Sequence, residues 1–307
     1  MPTSISTLSM MRPGPFVKTN GMSRDGWRGL ISLTARTGPP THCSTGSSAV
    51  EPLHEIDLTQ SLLPRHHGVL RAIGAISAHV STDGWCLVGG MMVLIACRLT
   101  GRPVDRAEQT RDADILVDVC SSPSILAKVV NELKSFGFKP IESFGGEEFG
   151  RCTFTNSTGQ GQIDVLCPED ATEDELKSVS GVQSLAIPGG RTALQVCEEV
   201  FITFDIEAPD VQIRVPLLPG AIVVKAAAAI DQRTVNQPRH IQDLVDMLSV
   251  LEDPVDARLQ LNDADLQLLL SLRPRLEDDG DVAWERLGEQ ARLEARAAFD
   301  VLVGPLN

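Results

Sequence analysis

The sequence predicts an α/β fold, a mixed sheet flanked by helices, followed by a C-terminal α-helical section. Three observations predict it. Short apolar runs such as "WCLV" and "ADILVDV" alternate with amphipathic helical segments. "GRCTFTN" and "GQIDVLC" flank the polar, Gly-rich turn "STGQG", which signals a hairpin. After Pro219 the strand signals stop and helix-forming sequence runs to the end. These readings divide the chain into a tail at 1–50, an α/β domain at 53–217 and a helical domain at 219–303.

The tail holds Arg12, Lys18, Arg24, Arg28 and Arg36 against Asp25 alone, a net charge of +4. It is rich in Ser, Thr, Gly and Pro and has no sustained apolar period, so it reads as disordered. An organellar targeting peptide, or translation beginning at Met22 or later, are the other readings. The α/β domain opens on "LLPRHHGVLRAIGAISAHV". Its apolar residues at Val69, Leu70, Ile73, Ile76 and Val80 follow helical spacing. The strand "WCLV" runs into Gly89-Gly90 and the helix "MMVLIACRL", and "ADILVDV" is the next strand. "SSPSILAKVVNELKSFGF" reads as a helix with Ser122 as N-cap, Pro123 in the first turn and Gly137 at its end. The hairpin follows, and then the strand pair "VFITFDIEA" and "VQIRVPLL", turned at Pro209-Asp210. In the helical domain, "AIVVKAAAAIDQR" is Ala-rich, and "PRHIQDLVDMLSVL" repeats apolar residues at Ile241, Leu244, Val245 and Leu248. "DADLQLLLSLR" and "DVAWERLGEQARLEARAAFDVLV" complete it. The stripe at Leu266, Leu269 and Leu270 reads as core or as a dimer face.

Composition narrows the function class. The 307 residues are 42% hydrophobic and 22% charged, an ordinary globular balance. No apolar run approaches the roughly 18–20 residues of a membrane span, so a soluble protein without membrane partners is expected. The net charge is −14; subtracting the +4 tail leaves −18 on the body, which argues against general nucleic-acid binding. Seven cysteines, an odd number without a C-x-x-C, suggest buried thiols in a reduced, cytoplasmic protein.

The chemistry-bearing stretch is "QTRDADILVDV". Asp112 and Asp114 lie two apart at a strand start, so both point to one face, with Cα atoms about 6.5–7 Å apart. Two carboxylates that close repel each other unless a cation lies between them, and a hard divalent ion with oxygen ligands suits that role. The bland alternative is a turn residue followed by a solvent-facing carboxylate. In "LVGG", a strand enters Gly89-Gly90 and then a helix, leaving backbone N–H groups that can cradle a phosphate. The alternative is a tight strand–helix turn. Asp164, between Ile163 and Val165, must be paired or metal-bound if buried. Its alternative is an outward-facing position on an edge strand. An anion cradle, two carboxylates on one strand and a third on another would suit two-metal phosphoryl transfer, with ions about 3.5–4 Å apart.

On these residues the chain resembles the DNA polymerase-β-type nucleotidyltransferases: Val88-Gly89-Gly90, then Asp112-Ala113-Asp114, then Asp164. It is most similar to the AbiEii/AbiGii-type toxin nucleotidyltransferases. Lys225 lies in the helix after the α/β domain, Arg239, Asp243 and Asp246 lie in "RHIQDLVDML", and Thr110-Arg111 precedes the Asp pair. The likeness spans 85–251. One departure is the 21 residues between Gly90 and Asp112, about ten more than usual; the excess must loop or lengthen the helix. The resemblance implies that Gly89, Gly90, Thr110 and Lys225 bind a nucleoside triphosphate. It implies that Asp112, Asp114 and Asp164 hold two Mg²⁺ ions, with Asp164 as base toward an acceptor hydroxyl. For Lys225 the alternative is a route to solvent. For Asp243 and Asp246 it is a structural salt bridge to Arg239 or Arg233. Arg151 is a further candidate phosphate or substrate contact. His66 and His67 point to different sides of a helix and make no metal pair. Gly145-Gly146 and Gly189-Gly190 read as turns.

The expected function is Mg²⁺-dependent transfer of a nucleoside monophosphate from an NTP to a hydroxyl on an RNA 3′ end, a protein or a small molecule. The subgroup implies a toxin–antitoxin or phage-defence setting, with an antitoxin protein as partner. The rival reading is a non-catalytic nucleotide sensor or interaction module on the same fold. A structural protein without a site is the third.

Overall fold

The computed structural model describes residues 54–59, 64–102, 112–140, 152–155, 161–176, 184–205, 210–231 and 237–304. The tail at 1–50, Thr110, Arg111, Arg151, Gly145-Gly146 and Arg233 lie outside the described residues. The fold is mixed α/β, with eleven α-helices and two mixed sheets among the described residues. Residues Glu51–Asn307 form one compact unit.

Helix α1 (Pro64–His79) buries Val69, Leu70, Ile73 and Ile76, the stripe its periodicity predicts. Strand β2 (Trp85–Val88) is buried along its whole length and feeds α2 (Gly89–Leu99). Helix α2 stops at Leu99, and Gly101 takes a left-handed φ of +67° just beyond, so the extra sequence before Asp112 does not lengthen this helix. Strand β3 (Asp112–Val117) follows, then α3 (Ile125–Ser135). Helix α3 begins two residues later than the sequence suggests. Ser124, not Ser122, is the N-cap, and its side chain makes no capping bond. The residues before it form a turn in which the Asp118 carboxylate accepts the Ser121 N–H at 3.2 Å. Gly137 ends α3 as expected, at φ +89°, with the Phe138 N–H donating to the Leu133 carbonyl at 2.9 Å.

The six-stranded sheet runs β2-β3-β6-β5-β4, with β4 (Lys139–Pro140), β5 (Cys152–Thr155), β6 (Gln162–Pro168) and β7 (Leu185–Ile187), the last pairing β6. Strands β5 and β6 pair antiparallel, as the hairpin signal requires. Strand β3 lies between β2, antiparallel, and β6, parallel. A second sheet, β1-β8-β9, joins β1 (His54–Asp57) in parallel to β8 (Cys197–Thr203), which pairs antiparallel with β9 (Val211–Pro216). Two short helices, α4 (Glu173–Leu176) and α5 (Gly190–Gln195), flank β7. At the far end of β3 from Asp112, Arg191 of α5 donates to Asp118 at 3.0 Å and, through two nitrogens, to Asp170 at 3.0 Å. That fork ties the β3 and β6 termini together.

Helix α6 (Leu218–Ile230) is buried on nearly every side, as a helix apolar but for Lys225 must be. It packs on α2 and on α7 (Gln237–Ser249). Helices α8 (Pro254–Leu259), α9 (Asp263–Leu270), α10 (Arg273–Glu277) and α11 (Glu289–Val303) close the unit. Helix α11 starts eight residues after Asp281, where the sequence pattern begins; Val282–Trp284 instead form a 3₁₀ turn, with Asp281 accepting the Ala283 N–H at 2.8 Å. Along the α9 stripe, Leu269 is buried and Leu270 exposed, so the stripe is only partly core. Among the described residues no helix is long and apolar enough to cross a membrane, and Cys86, Cys120, Cys167 and Cys197 are free thiols.

Candidate functional site

Register decides where the carboxylates go. In the parallel β3–β6 pair, Asp112 lies opposite Gln162 and Asp114 opposite Asp164. Paired residues share a sheet face, so Asp112, Asp114, Gln162 and Asp164 project together. Burial agrees: Asp112 is exposed, Ala113 buried and Asp114 half-buried. The edge-strand, outward-facing reading of Asp164 fails here. Strands β3 and β6 are internal strands, and Asp164 is only 5% exposed. The Gln162 amide donates to Oδ1 of Asp164 at 3.1 Å.

Val88 faces Asp114 across the β2–β3 pair, which brings Gly89 beside the acidic face. Gly89 has φ +76°, a conformation L side chains rarely adopt. A Cβ there would overlap Oδ2 of Asp114 and come within 2.8 Å of its Cγ. Only glycine lets the α2 N-terminus and the Asp114 carboxylate lie this close.

Gly89, Gly90, Asp112, Asp114, Asp164 and Lys225 all line one cavity of about 350 Å³. The structure thus brings together six of the seven residues singled out in the sequence; Thr110 lies outside the described residues. The face of β6 continues from Asp164 to Leu166, and with Leu185, Ile187 and Pro188 it gives the cavity an aliphatic wall. The rest of the lining comes from α6 and the start of α7, with Asp231, Arg239 and His240.

Lys225 has no route to solvent. It is 2% exposed, and its Nζ donates to Oδ2 of Asp243 at 2.9 Å. Asp243 and Asp246 are also buried, and Arg286 Nη2 lies 3.5 Å from Asp243 Oδ1 and 3.1 Å from Asp246 Oδ2. The acidic pair on α7 therefore sits in an internal network whose cations include Lys225 and Arg286. Arg239, the sequence-based candidate partner, lines the cavity instead. His66 is buried while His67 meets Asp205 at 3.5 Å and the Phe204 ring edge-on, so the two diverge.

Among the described residues, no three His, Cys, Asp or Glu side chains are gathered closely enough to hold a metal ion. The donors themselves suit a hard cation: three carboxylates on one face at one cavity, beside the glycine pair. Sequence reasoning missed Gln162, Asp231, His240 and the aliphatic wall. Gln162 was within reach, because the alternation that pairs Asp112 with Asp114 also pairs Gln162 with Asp164. No protein-family model and no curated protein matches this chain.

Proposed function

We propose that the chain is a nucleotidyltransferase of the DNA polymerase-β type, similar to the AbiEii/AbiGii toxins. It would transfer a nucleoside monophosphate from an NTP to a hydroxyl acceptor and release pyrophosphate. The observation that supports this best is the β3–β6 register, which sets Asp164 beside Asp114 on the face that Asp112 also occupies. Backbone N–H groups at Gly89 and Gly90, at the α2 N-terminus, favour a phosphate there. Asp112, Asp114 and Asp164 are the residues that would hold Mg²⁺. When bound, the ion neutralises phosphate charge and lowers the acceptor hydroxyl's pKa. Asp164, buried and held by Gln162, is the candidate acceptor of the hydroxyl proton. An RNA 3′ end, a protein side chain or a small molecule could supply that hydroxyl, and an antitoxin protein would fit the toxin reading.

The test is incubation with each α-labelled NTP, Mg²⁺ and cell extract. Label should move to a macromolecule or small acceptor, and Asp112→Ala or Asp114→Ala should lower transfer by about 100-fold or more. Transfer that survives both substitutions rejects the site.

Two observations favour a second reading, a non-catalytic nucleotide-binding module: Lys225 is engaged by Asp243, and the carboxylates are not gathered as ligands. Calorimetry showing NTP binding without transfer to any acceptor selects it.

A further inference from the structure

The cavity carries three acidic side chains on the sheet side, and a polyphosphate could not settle there without a cationic counterpart. Lys225 is the obvious candidate, yet its ammonium group already contacts Asp243. Arg286 is directed at Asp243 and Asp246. For Arg239, unlike those two, no carboxylate partner is seen among the described residues. It lines the cavity, and its Nη2 is buried with no hydrogen-bond partner among the described residues. A buried guanidinium nitrogen left without an acceptor is costly, and an anion bound within its reach would remove that cost.

Its place on the helix sharpens the point. Arg239 is the third residue of α7, whose first turn carries no acidic residue. A helix N-terminus bears partial positive charge, so a cation there is disfavoured and an anion welcome. His240, the next residue, lines the same cavity. The first turns of α2 and α7 thus both border the space above the three carboxylates.

Resting on the nucleotidyltransferase reading, we infer that Arg239 is the anion-gripping residue of the cavity: its guanidinium takes the terminal phosphates of the substrate and holds the departing pyrophosphate. The planar fork of Arg suits two phosphate oxygens at once, which Lys cannot reproduce. No bond is made or broken at Arg239; it orients the leaving group and stabilises its charge.

The test uses the full chain and magnesium pyrophosphate as probe, followed by calorimetry. No turnover is involved, so the outcome stands apart from the transferase assay. Wild-type protein should bind the probe, Arg239→Gln should bind it at least about tenfold more weakly, and Arg239→Lys should recover part of the loss. The Gln variant keeps a polar but uncharged side chain with a shorter stem, and an unchanged melting temperature shows that it folds. If transfer activity exists, the Gln variant should raise KM for the NTP more than the Lys variant does. Equal pyrophosphate binding by wild type and Arg239→Gln overturns the inference, as does absence of binding by wild type at millimolar probe. Pyrophosphate binding that needs Arg239 in a protein without transferase activity keeps the anion subsite and removes the enzymatic reading.

Discussion

Replacing Gly89 with Ala tests the closest contact at the site. Two separable costs follow from the structure. The first is conformational: an L residue at φ +76° loses about 1–2 kcal/mol relative to glycine. The second is steric: the new Cβ overlaps Oδ2 of Asp114 and lies 2.8 Å from its Cγ, so the carboxylate must turn away, at about 0.5–1.5 kcal/mol. Together they predict a loss of about 2–3 kcal/mol, or roughly 4–12 °C in melting temperature for a body of this size. A double-mutant cycle separates them. In Gly89→Ala/Asp114→Ala the overlapping oxygen is gone, leaving Asp114 Cβ at 3.2 Å, so the steric cost falls while the conformational cost stays. Urea unfolding of the four proteins should give a coupling energy of about 1 kcal/mol. Strict additivity would mean that Asp114 does not lie against Gly89, and the acidic face would have to be drawn elsewhere.

Two further outcomes follow. Lys225→Met leaves Asp243 buried with Arg286 as a remaining cation 3.5 Å away, so stability should drop by about 3 kcal/mol in urea unfolding, and a loss under about 1 kcal/mol would show the pair to be dispensable. Near Arg191, its bonds hold the Asp170 carboxyl below its usual range, and at Asp118 burial pushes upward but Ser121 and Arg191 outweigh it. Depressed carboxyls contribute stability above their unfolded value near pH 3.8 and lose it as pH falls through the lower folded value, so Arg191→Met should flatten the melting-temperature profile in that acidic range; parallel profiles would reject the assignment.

Much of the fold was legible because its signals are local. The stripe Val69, Leu70, Ile73, Ile76 fixes α1, and Gly137 marks the end of α3 through a conformation few other residues take. The misplaced boundaries have local causes too. Ser122-Pro123 carries a start signature, but Asp118 claims the Ser121 N–H and holds the segment in a turn. Strand β1 escaped notice because "HEID" buries only Ile56 and owes its existence to pairing with β8, far along the chain. At the site, residue types and faces were legible, since alternation alone puts Asp112 and Asp114 together. Long-range pairing was not: nothing in the sequence says that Asp114 meets Asp164 rather than Val165, and one step of slip would turn Asp164 away. The destination of Asp243 was equally hidden, because one of its cations, Arg286, comes from a turn 43 residues later.

The charges at the cavity also imply an order of events. Asp112, Asp114, Asp164 and Asp231 border the space, against Lys225, Arg239 and the positive ends of two helices. With Lys225 donating to Asp243, the nearby charge is predominantly negative. A free nucleoside triphosphate would meet repulsion on the sheet side and attraction only at the helix termini. A divalent ion arriving with the phosphates reverses the sheet-side sign, so the physical logic favours entry of the nucleotide already complexed with its cation. If the proposed transferase reading holds, Arg239 and the α7 terminus would bind what the carboxylates repel, which would give the phosphate chain a direction: its leaving end toward α7, its reacting end toward Asp114 and Asp164.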